Sequence, residues 1–295
     1  MKHIILDTDL GCDCDDVYAL ALLSRSHLDN KCSLDGVASS APFPASPGAI
    51  RSILDHYGLS DIAAGRLGVH ADGYYSEGRD FYAQAVTDAF PPSSVSFTES
   101  AELLRSLLAH AAAPVTLCVI GTLTNMSALL GSRGDEISPL DGVSLVREKV
   151  ERAYIMAGDF THVGSVSVPT AEWNVKLDIP AAQKFFDEFP CHVTVIPFEL
   201  GVNVITGGAY VSKFGGSSPV SAAYIAHGST AGRSSWDPIT AYAAVYDGSE
   251  RFGKLFARRH GDISVNADGT LNFAPNEGSR FEYLTARAGN TEIAG

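Results

Sequence analysis

The chain of 295 residues has little cysteine, no excess of basic residues and no long apolar segment. Its five cysteines are an odd number in a long chain, which argues against a disulfide framework and favours reduced thiols. Acidic residues outnumber basic ones by 34 to 21, and the formal net charge of −13 makes nucleic-acid binding unexpected. No apolar run approaches the length of a bilayer-spanning helix, so we expect no membrane partner.

Two kinds of local signal are also missing. The apolar run after Met1 is only Ile4–Leu6 before Asp7, which is too short for a signal peptide, so we expect a cytoplasmic protein. Neither a phosphate-binding loop nor the glycine pattern of a dinucleotide site is present. Cys12 and Cys14 lack the Cys-x-x-Cys spacing of thiolate zinc sites, so zinc is not expected there.

Hydrophobic residues make up 45% of the chain, enough for a sizeable core, and we expect one domain over residues 1–295. The apolar run Val115–Ile120 predicts a buried strand, Leu34–Ala38 predicts another, and helical segments lie between the predicted strands. This alternation predicts an α/β fold with a mostly parallel sheet covered on both faces. Ligands of such sheets bind beyond the carboxyl ends of the strands, where the segments that follow predicted strands should converge. These segments are Asp7–Asp16, Ser39–Pro42, Gly121–Asn125 and Gly158–Asp159.

The strongest local feature is an acidic cluster, Asp7–Asp16, with five carboxylates between a predicted strand and a predicted helix. Carboxylates at this density repel one another and raise one another's pKa, a penalty that a hard divalent cation removes. Calcium tolerates irregular oxygen coordination and is the first choice, with magnesium second. An EF-hand loop would need glycine and glutamate where Cys12 and Tyr18 stand. The preference of helix N-termini for acidic residues is the alternative without a metal.

Four blocks, in this order, resemble the nucleoside hydrolase family, the inosine–uridine-preferring hydrolases and their relatives. The segment ILDTDLGCDCDDVYALAL is similar to the family's opening Asp-x-Asp-Pro-Gly-x-Asp-Asp and apolar helix, with Leu10 replacing proline and one extra residue before the aspartate pair. The later blocks are Gly121–Asn125, Ala171–Asn174 and Trp236–Pro238. The resemblance runs from Ile4 to about Val245. It implies a Rossmann-like α/β fold with a mostly parallel central sheet flanked by helices.

The same resemblance implies calcium-dependent hydrolysis of the N-glycosidic bond of a ribonucleoside to free base and ribose. Asp9, Asp16 and Asp237 would bind the calcium ion through their carboxylates, and Thr124 through its backbone carbonyl. Asp9 would also be the catalytic base for a water activated by the metal.

The register of the acidic cluster has two readings. Aligning Asp13 with the first aspartate of the family's pair would put Cys14 at a ligand position. A thiol is a poor ligand for calcium, so we prefer Asp15 and Asp16 as the pair.

The substrate-binding residues are also implied by the resemblance. Asp15 would hydrogen-bond a ribose hydroxyl, and Glu172 and Asn174 would bind the other hydroxyls. Ser40 is the nearest match to an asparagine that contacts the sugar in relatives. Trp236 stands where many relatives carry a histidine, and it is similar to the indole that stacks on the base in the purine-preferring subgroup. Ordinary packing of Trp236 is the alternative.

Two other functions stay open. The missing asparagine and histidine favour hydrolysis of another N-riboside, such as a nicotinamide or modified nucleoside. A catalytically silent relative that binds calcium and a nucleoside is the other alternative, against which the intact Asp9 argues. The partner in every case is a small-molecule nucleoside, and the resemblance implies a homodimer or homotetramer. The segment His70–Gly78 predicts a long loop at the rim, as a lid or a solvated surface.

Overall fold

The computed structural model describes residues 1–68, 80–163 and 167–295, so the predicted loop His70–Gly78 lies outside the described residues. Within these described ranges, ten strands form a central sheet, and two short strands form a second sheet. In chain order the strands are β1 (Lys2–Thr8), β2 (Cys32–Ser39), β3 (Ala63–Arg66), β4 (Thr98–Glu99), β5 (Val115–Val119), β6 (Val150–Met156), β7 (His192–Ile196), β8 (Ile205–Thr206), β9 (Arg233–Ser234), β10 (Phe256–Val265), β11 (Leu271–Pro275) and β12 (Phe281–Ala286).

The central sheet is mostly parallel, as the sequence predicts. Its strand order is β11-β10-β12-β7-β6-β5-β1-β2-β3-β4. Every neighbouring pair from β12 to β4 is parallel, whereas β10 runs antiparallel to both β11 and β12. The C-terminal strands β10, β11 and β12 extend the main sheet, because β12 pairs directly with β7.

Helices cover both faces of the sheet. They are α1 (Asp15–Leu28), α2 (Ser46–His56), α3 (Ala83–Ala89), α4 (Ser100–His110), α5 (Thr124–Gly131), α6 (Gly142–Lys149), α7 (Trp173–Lys176), α8 (Ile179–Glu188), α9 (Phe198–Gly201), α10 (Gly208–Phe214), α11 (Pro219–His227), α12 (Trp236–Tyr246), α13 (Glu250–Leu255) and α14 (Asn290–Ala294). Within the described ranges, none of these helices combines the length and apolar character needed to cross a membrane.

Strand β1 shows how the sequence divides the core. Ile4 and Leu6 belong to one buried cluster, which includes residues of α1, α2 and α12, whereas Ile5 belongs to the cluster containing α4, α5 and α8. Side chains alternate between the faces of a strand, so a strand covered on both faces is apolar at consecutive positions. Each fully buried Leu or Ile side chain stabilises the fold by roughly 1.5–3 kcal/mol.

The carboxyl ends of the central strands lie at one edge of the sheet. Thr8 of β1 pairs with Ser39 of β2, and Asp7 pairs with Val119 of β5. The Asn125 side-chain amide donates to the Asp7 carboxylate at 2.7 Å and to the Ser39 carbonyl at 3.0 Å. The segments following β1, β2 and β5 therefore meet, as their positions after predicted strands indicate.

Candidate active site

Two helix starts bring three aspartates together. Asp15 and Asp16 lie in the first turn of α1, and Asp237 lies in the first turn of α12, which packs against α1. Carboxylate oxygens of the three lie within 4.8 Å of one another, and each residue is at most 5% exposed. The Asp15 carboxylate accepts a hydrogen bond from the Asp237 backbone N–H at 3.1 Å. The Thr8 hydroxyl donates to the Asp16 carboxylate. We call these three residues the aspartate triad.

Burial, followed by the charges of neighbouring carboxylates, raises the pKa of each member of the triad. Asp9 contributes to the raised pKa of both Asp16 and Asp237. A helix N-terminus accounts for acidic residues on α1 or on α12 separately, but not for their burial against one another. A set of buried carboxylate oxygens matches the ligands that a hard divalent cation prefers, so the triad fits calcium or magnesium.

A cavity of about 320 Å³ opens beside the aspartate triad. It lies beyond the carboxyl ends of the strands, because Ile120 follows β5 and Met156 ends β6. Seven of the residues that the sequence predicts for the site line this cavity: Asp9, Asp15, Asp16, Glu172, Asn174, Trp236 and Asp237.

Glu172 and Asn174 are held by the backbone around them. The Glu172 carboxylate caps α7 by accepting from the backbone N–H of Asn174 at 2.8 Å. It also accepts from the backbone N–H of Gly158 at 3.1 Å. Burial raises the pKa of Glu172 to about 7. The Asn174 amide donates to the carbonyls of Ile120 and Met156, both at 3.1 Å. Its Oδ1 takes no part in these two bonds, which orient the amide at the cavity wall.

Two predicted site residues do not line the cavity. Among the described residues that line the cavity, neither Thr124 nor Ser40 appears. The Thr124 hydroxyl, at the start of α5, donates to the Asp178 carboxylate at 2.6 Å. Ser40 is fully buried next to Gly121, where an added Cβ would lie 2.3 Å from the Ser40 Oγ. The roles of Thr124 in metal binding and of Ser40 in sugar binding stay predictions.

Aromatic side chains also line the cavity. Trp236 stacks on Phe198, with ring centroids 5.4 Å apart and an interplanar angle of 22°. The Trp236 indole N–H donates to the Phe198 carbonyl at 2.8 Å, which fixes the ring orientation. Both residues line the cavity, so Trp236 presents an aromatic surface next to the triad residue that follows it in sequence.

Sequence reasoning missed an ion pair between two residues that line this cavity. The Arg233 guanidinium, on β9, contacts the Asp13 carboxylate through Nε at 2.9 Å and Nη2 at 2.6 Å. Asp13 pairs with Arg233, whereas Asp15 and Asp16 lie beside Asp237. The choice of Asp15 and Asp16 as the family's pair stays a prediction. The signal available in the sequence was Asp13 itself, a carboxylate left over once Asp15 and Asp16 are taken as the family's pair. In the structure Asp13 is partly buried, and a partly buried carboxylate needs a positive partner. Which cation pairs with it cannot be read locally, because the partners are 220 residues apart.

The fold and site together define an α/β protein with an acidic pocket, suited to a divalent cation, at the carboxyl ends of its strands. The family model for inosine-uridine preferring nucleoside hydrolase matches residues 4–280. The chain therefore belongs to the inosine-uridine preferring nucleoside hydrolase family.

Individual relatives agree with this placement. The pyrimidine-specific ribonucleoside hydrolase RihA of Photobacterium profundum is 31% identical over 194 residues, which is 63% of this chain and 57% of the relative. The match thus spans little more than half the length of that curated relative. Two solved structures share the fold. An inosine-uridine preferring nucleoside hydrolase from Bacillus anthracis has 20% identity and a TM-score of 0.70, covering 96% of this chain and 94% of its own. The type III effector XopQ, complexed with adenosine diphosphate ribose, has 18% identity and a TM-score of 0.70, covering 96% of this chain and 87% of its own.

Proposed function

We propose that this protein is a calcium-dependent hydrolase of ribonucleosides, which cleaves the N-glycosidic bond to give free base and ribose. The observation that carries the proposal is the meeting of the buried residues Asp15 and Asp237, 222 residues apart in sequence, with Asp16 and Asp9 at one cavity. Membership of the nucleoside hydrolase family supplies the reaction class. The pyrimidine specificity in the name of the RihA relative makes uridine and cytidine the first substrates to test.

The carboxylates suit the charge that develops during this reaction. Breaking the bond between the sugar and the base leaves positive charge on the ribose ring, as in the hydrolysis of O-glycosides. Asp9, Asp16 and Asp237, with the Thr124 carbonyl, would hold the calcium ion. When bound, this ion supplies a positioned water of lowered pKa. Asp15 would accept a hydrogen bond from a ribose hydroxyl.

The remaining steps belong to the side chains of the chain itself. Asp9 takes a proton from the attacking water, whose oxygen forms the new bond to the anomeric carbon. The electron pair of the broken bond goes to the base nitrogen. Glu172 and Asn174, fixed by backbone hydrogen bonds, orient the remaining sugar hydroxyls. Contacts that tighten in the transition state lower the barrier, whereas uniform binding does not.

A second candidate is hydrolysis of another N-riboside, such as nicotinamide riboside or a modified nucleoside. The observation in its favour is the position of Ser40, the counterpart of a sugar-binding asparagine, which is buried against Gly121 instead of lining the cavity. The complex of XopQ with adenosine diphosphate ribose supports including ribosides beyond common nucleosides.

Release of reducing sugar from a panel of ribosides tests both candidates. The purified protein with calcium is expected to hydrolyse uridine, cytidine or inosine and to lose this activity in EDTA. Asp9→Asn is expected to lower kcat by about 10²–10⁴-fold, the usual effect of losing a general base. Asp187→Asn, an exposed aspartate on α8, is the matched control and should retain full activity.

Each other outcome has a distinct meaning. Turnover of nicotinamide riboside alone would favour the second candidate. Binding of nucleosides without turnover of any riboside would identify a catalytically silent relative. Full activity of Asp9→Asn would contradict the role of Asp9 as the base.

A further inference from the structure

Arg233 brings a positive charge to a cavity that is otherwise acidic and aromatic. Of the described residues lining this cavity, it is the one basic side chain. It begins β9, directly after Gly232, whose φ of +113° favours glycine. Three residues later Trp236 opens α12, and Asp237 of the aspartate triad follows. One short segment of the chain thus carries the Arg233 guanidinium, the Trp236 ring and the Asp237 carboxylate.

The guanidinium of Arg233 is fixed on two sides. Asp13 binds Nε and Nη2, and the Asp13 carboxylate is itself oriented by the Cys14 backbone N–H at 2.7 Å. The guanidinium carbon lies 5.3 Å from the Trp236 ring centroid, within the range of a cation–π contact. Trp236 is in turn held by Phe198 through stacking and the indole hydrogen bond. The ion pair with Asp13 does not use Nη1.

Under the proposed function, this one cavity holds both the sugar and the base. The carboxylates of Asp9, Asp16 and Asp237 would face the sugar, where positive charge develops. Trp236 is adjacent to Asp237 in sequence, and its ring and Arg233 line the same cavity. The indole and the guanidinium are therefore available to contact the base of a riboside bound there.

Resting on the proposed function, we propose that Arg233 is the residue that stabilises the leaving base. Its Nη1 group donates hydrogen bonds to an oxo or ring-nitrogen acceptor of the departing base. The substrate class it selects is ribosides of oxo-bases, such as uracil and hypoxanthine, over bases with an amino group at the contacted position. A guanidinium has donors and no acceptor, so an amino group there would face it with donors only.

The proposed reaction consumes the riboside and one water molecule and needs no other reactant. Water adds to the anomeric carbon and gives its proton to Asp9, and the C–N bond breaks with its electron pair on the base nitrogen. That charge spreads to the oxo oxygen that faces Arg233. The base anion then takes a proton from solvent and leaves as the neutral base.

An arginine acts here as a fixed charge. Its guanidinium remains protonated throughout the working pH range, and hydrogen bonds from Arg233 to Asp13 raise its pKa further. It therefore stabilises developing negative charge without transferring a proton. Removal of one preorganised donor of this kind typically lowers kcat by about 10²–10³-fold.

The test compares a substrate whose leaving group needs stabilisation with one whose leaving group does not. Wild type, Arg233→Met, Arg233→Lys and Arg133→Met are assayed on uridine, inosine and 4-nitrophenyl β-D-riboside with calcium present. Arg133 is an exposed arginine after α5 and serves as the control. Arg233→Met is expected to lose about 10²–10³-fold in kcat on the nucleosides and less than about 10-fold on the nitrophenyl riboside. Arg233→Lys retains the charge but not the planar fork, so an intermediate loss on the nucleosides is expected.

The outcomes separate this inference from the proposed function. Equal losses on both kinds of substrate in Arg233→Met and Arg233→Lys, with unchanged melting temperature, would overturn the leaving-base role. Unchanged nucleoside turnover in Arg233→Met would overturn it as well. Failure of the wild type on every riboside, the nitrophenyl riboside included, would defeat the proposed function itself. If Arg233→Met does not fold, the nucleoside-to-nitrophenyl ratio of Arg233→Lys decides, and an unchanged ratio would overturn the inference.

Discussion

Removal of calcium should lower the thermal stability of this protein, because the aspartate triad concentrates negative charge in a buried place. At a separation of 4.8 Å and an effective dielectric constant of about 20, two unit charges repel by about 3.5 kcal/mol. Three fully ionised carboxylates make three such pairs, or about 10 kcal/mol. This is comparable with the whole stability of a typical domain, about 5–15 kcal/mol. Without a cation, the carboxylates must therefore retain protons or weaken the fold.

The expected shift follows from linkage. Calcium at about 1,000 times its Kd stabilises the folded state by about 4 kcal/mol. For 295 residues with an unfolding entropy of about 2.1 cal/mol/K each, this corresponds to a rise of about 6 °C in Tm. The assay is differential scanning calorimetry in EDTA and at increasing calcium concentrations, with magnesium in parallel. Magnesium should give a smaller shift, because it demands near-ideal octahedral geometry.

Asp237→Asn separates the electrostatic argument from general damage to the fold. The substitution removes two of the three repulsive pairs, so the calcium-free variant should melt above the calcium-free wild type. It also removes a ligand, so the rise in Tm with calcium should largely disappear. Asp187→Asn, exposed on α8, should behave like the wild type in both conditions. Two results would refute the reasoning: a Tm of calcium-free Asp237→Asn well below that of the calcium-free wild type, or a wild-type Tm that calcium does not change.

Two further predictions concern other buried contacts. Burial raises the pKa of Glu199 to about 7, above its value in the unfolded chain. Its contribution to stability is therefore fully present below about pH 4.5 and is lost as the pH rises towards 7. Glu199→Gln should flatten this loss in urea unfolding at pH 5 and pH 8 in EDTA, and parallel pH slopes in both proteins would contradict it. Gly121→Ala would place a Cβ 2.3 Å from the Ser40 Oγ and 2.6 Å from the Asp9 backbone nitrogen, so a loss of about 1–3 kcal/mol is expected. Gly253→Ala, whose Cβ would meet nothing within 4 Å, is the control; equal Tm values for the two variants would refute the packing argument.

Local patterns were sufficient for the centre of the fold. Strands β1 and β5 contain apolar residues at consecutive positions because helices bury both of their faces. The pairing of β12 with β7 could not be predicted, since it joins segments almost 90 residues apart and its parallel direction leaves no local trace. The attachment of the C-terminal strands to the main sheet is therefore a property of the folded chain.

Some residues of the candidate site could be predicted from the sequence, and others could not. Asp9, Asp16 and Asp237 could be placed together because each follows a strand or begins a helix in a recognisable block. Arg233 could not, because its role depends on Asp13 and on the orientation of the Trp236 ring, which are properties of the folded chain. Ser40 is buried beside Gly121 and does not line the cavity, so its role in sugar binding stays a prediction.

The packing of α1 against α12 has a consequence for biosynthesis. The first half of the acidic pocket leaves the ribosome early, whereas Asp237 and Arg233 emerge more than 200 residues later. Until then Asp13 lacks its counter-charge, and Asp15 and Asp16 lack the neighbour that completes a metal site. A growing chain therefore lacks the complete aspartate triad, and under the proposed function calcium would bind at full strength only after nearly all of the chain has been synthesised.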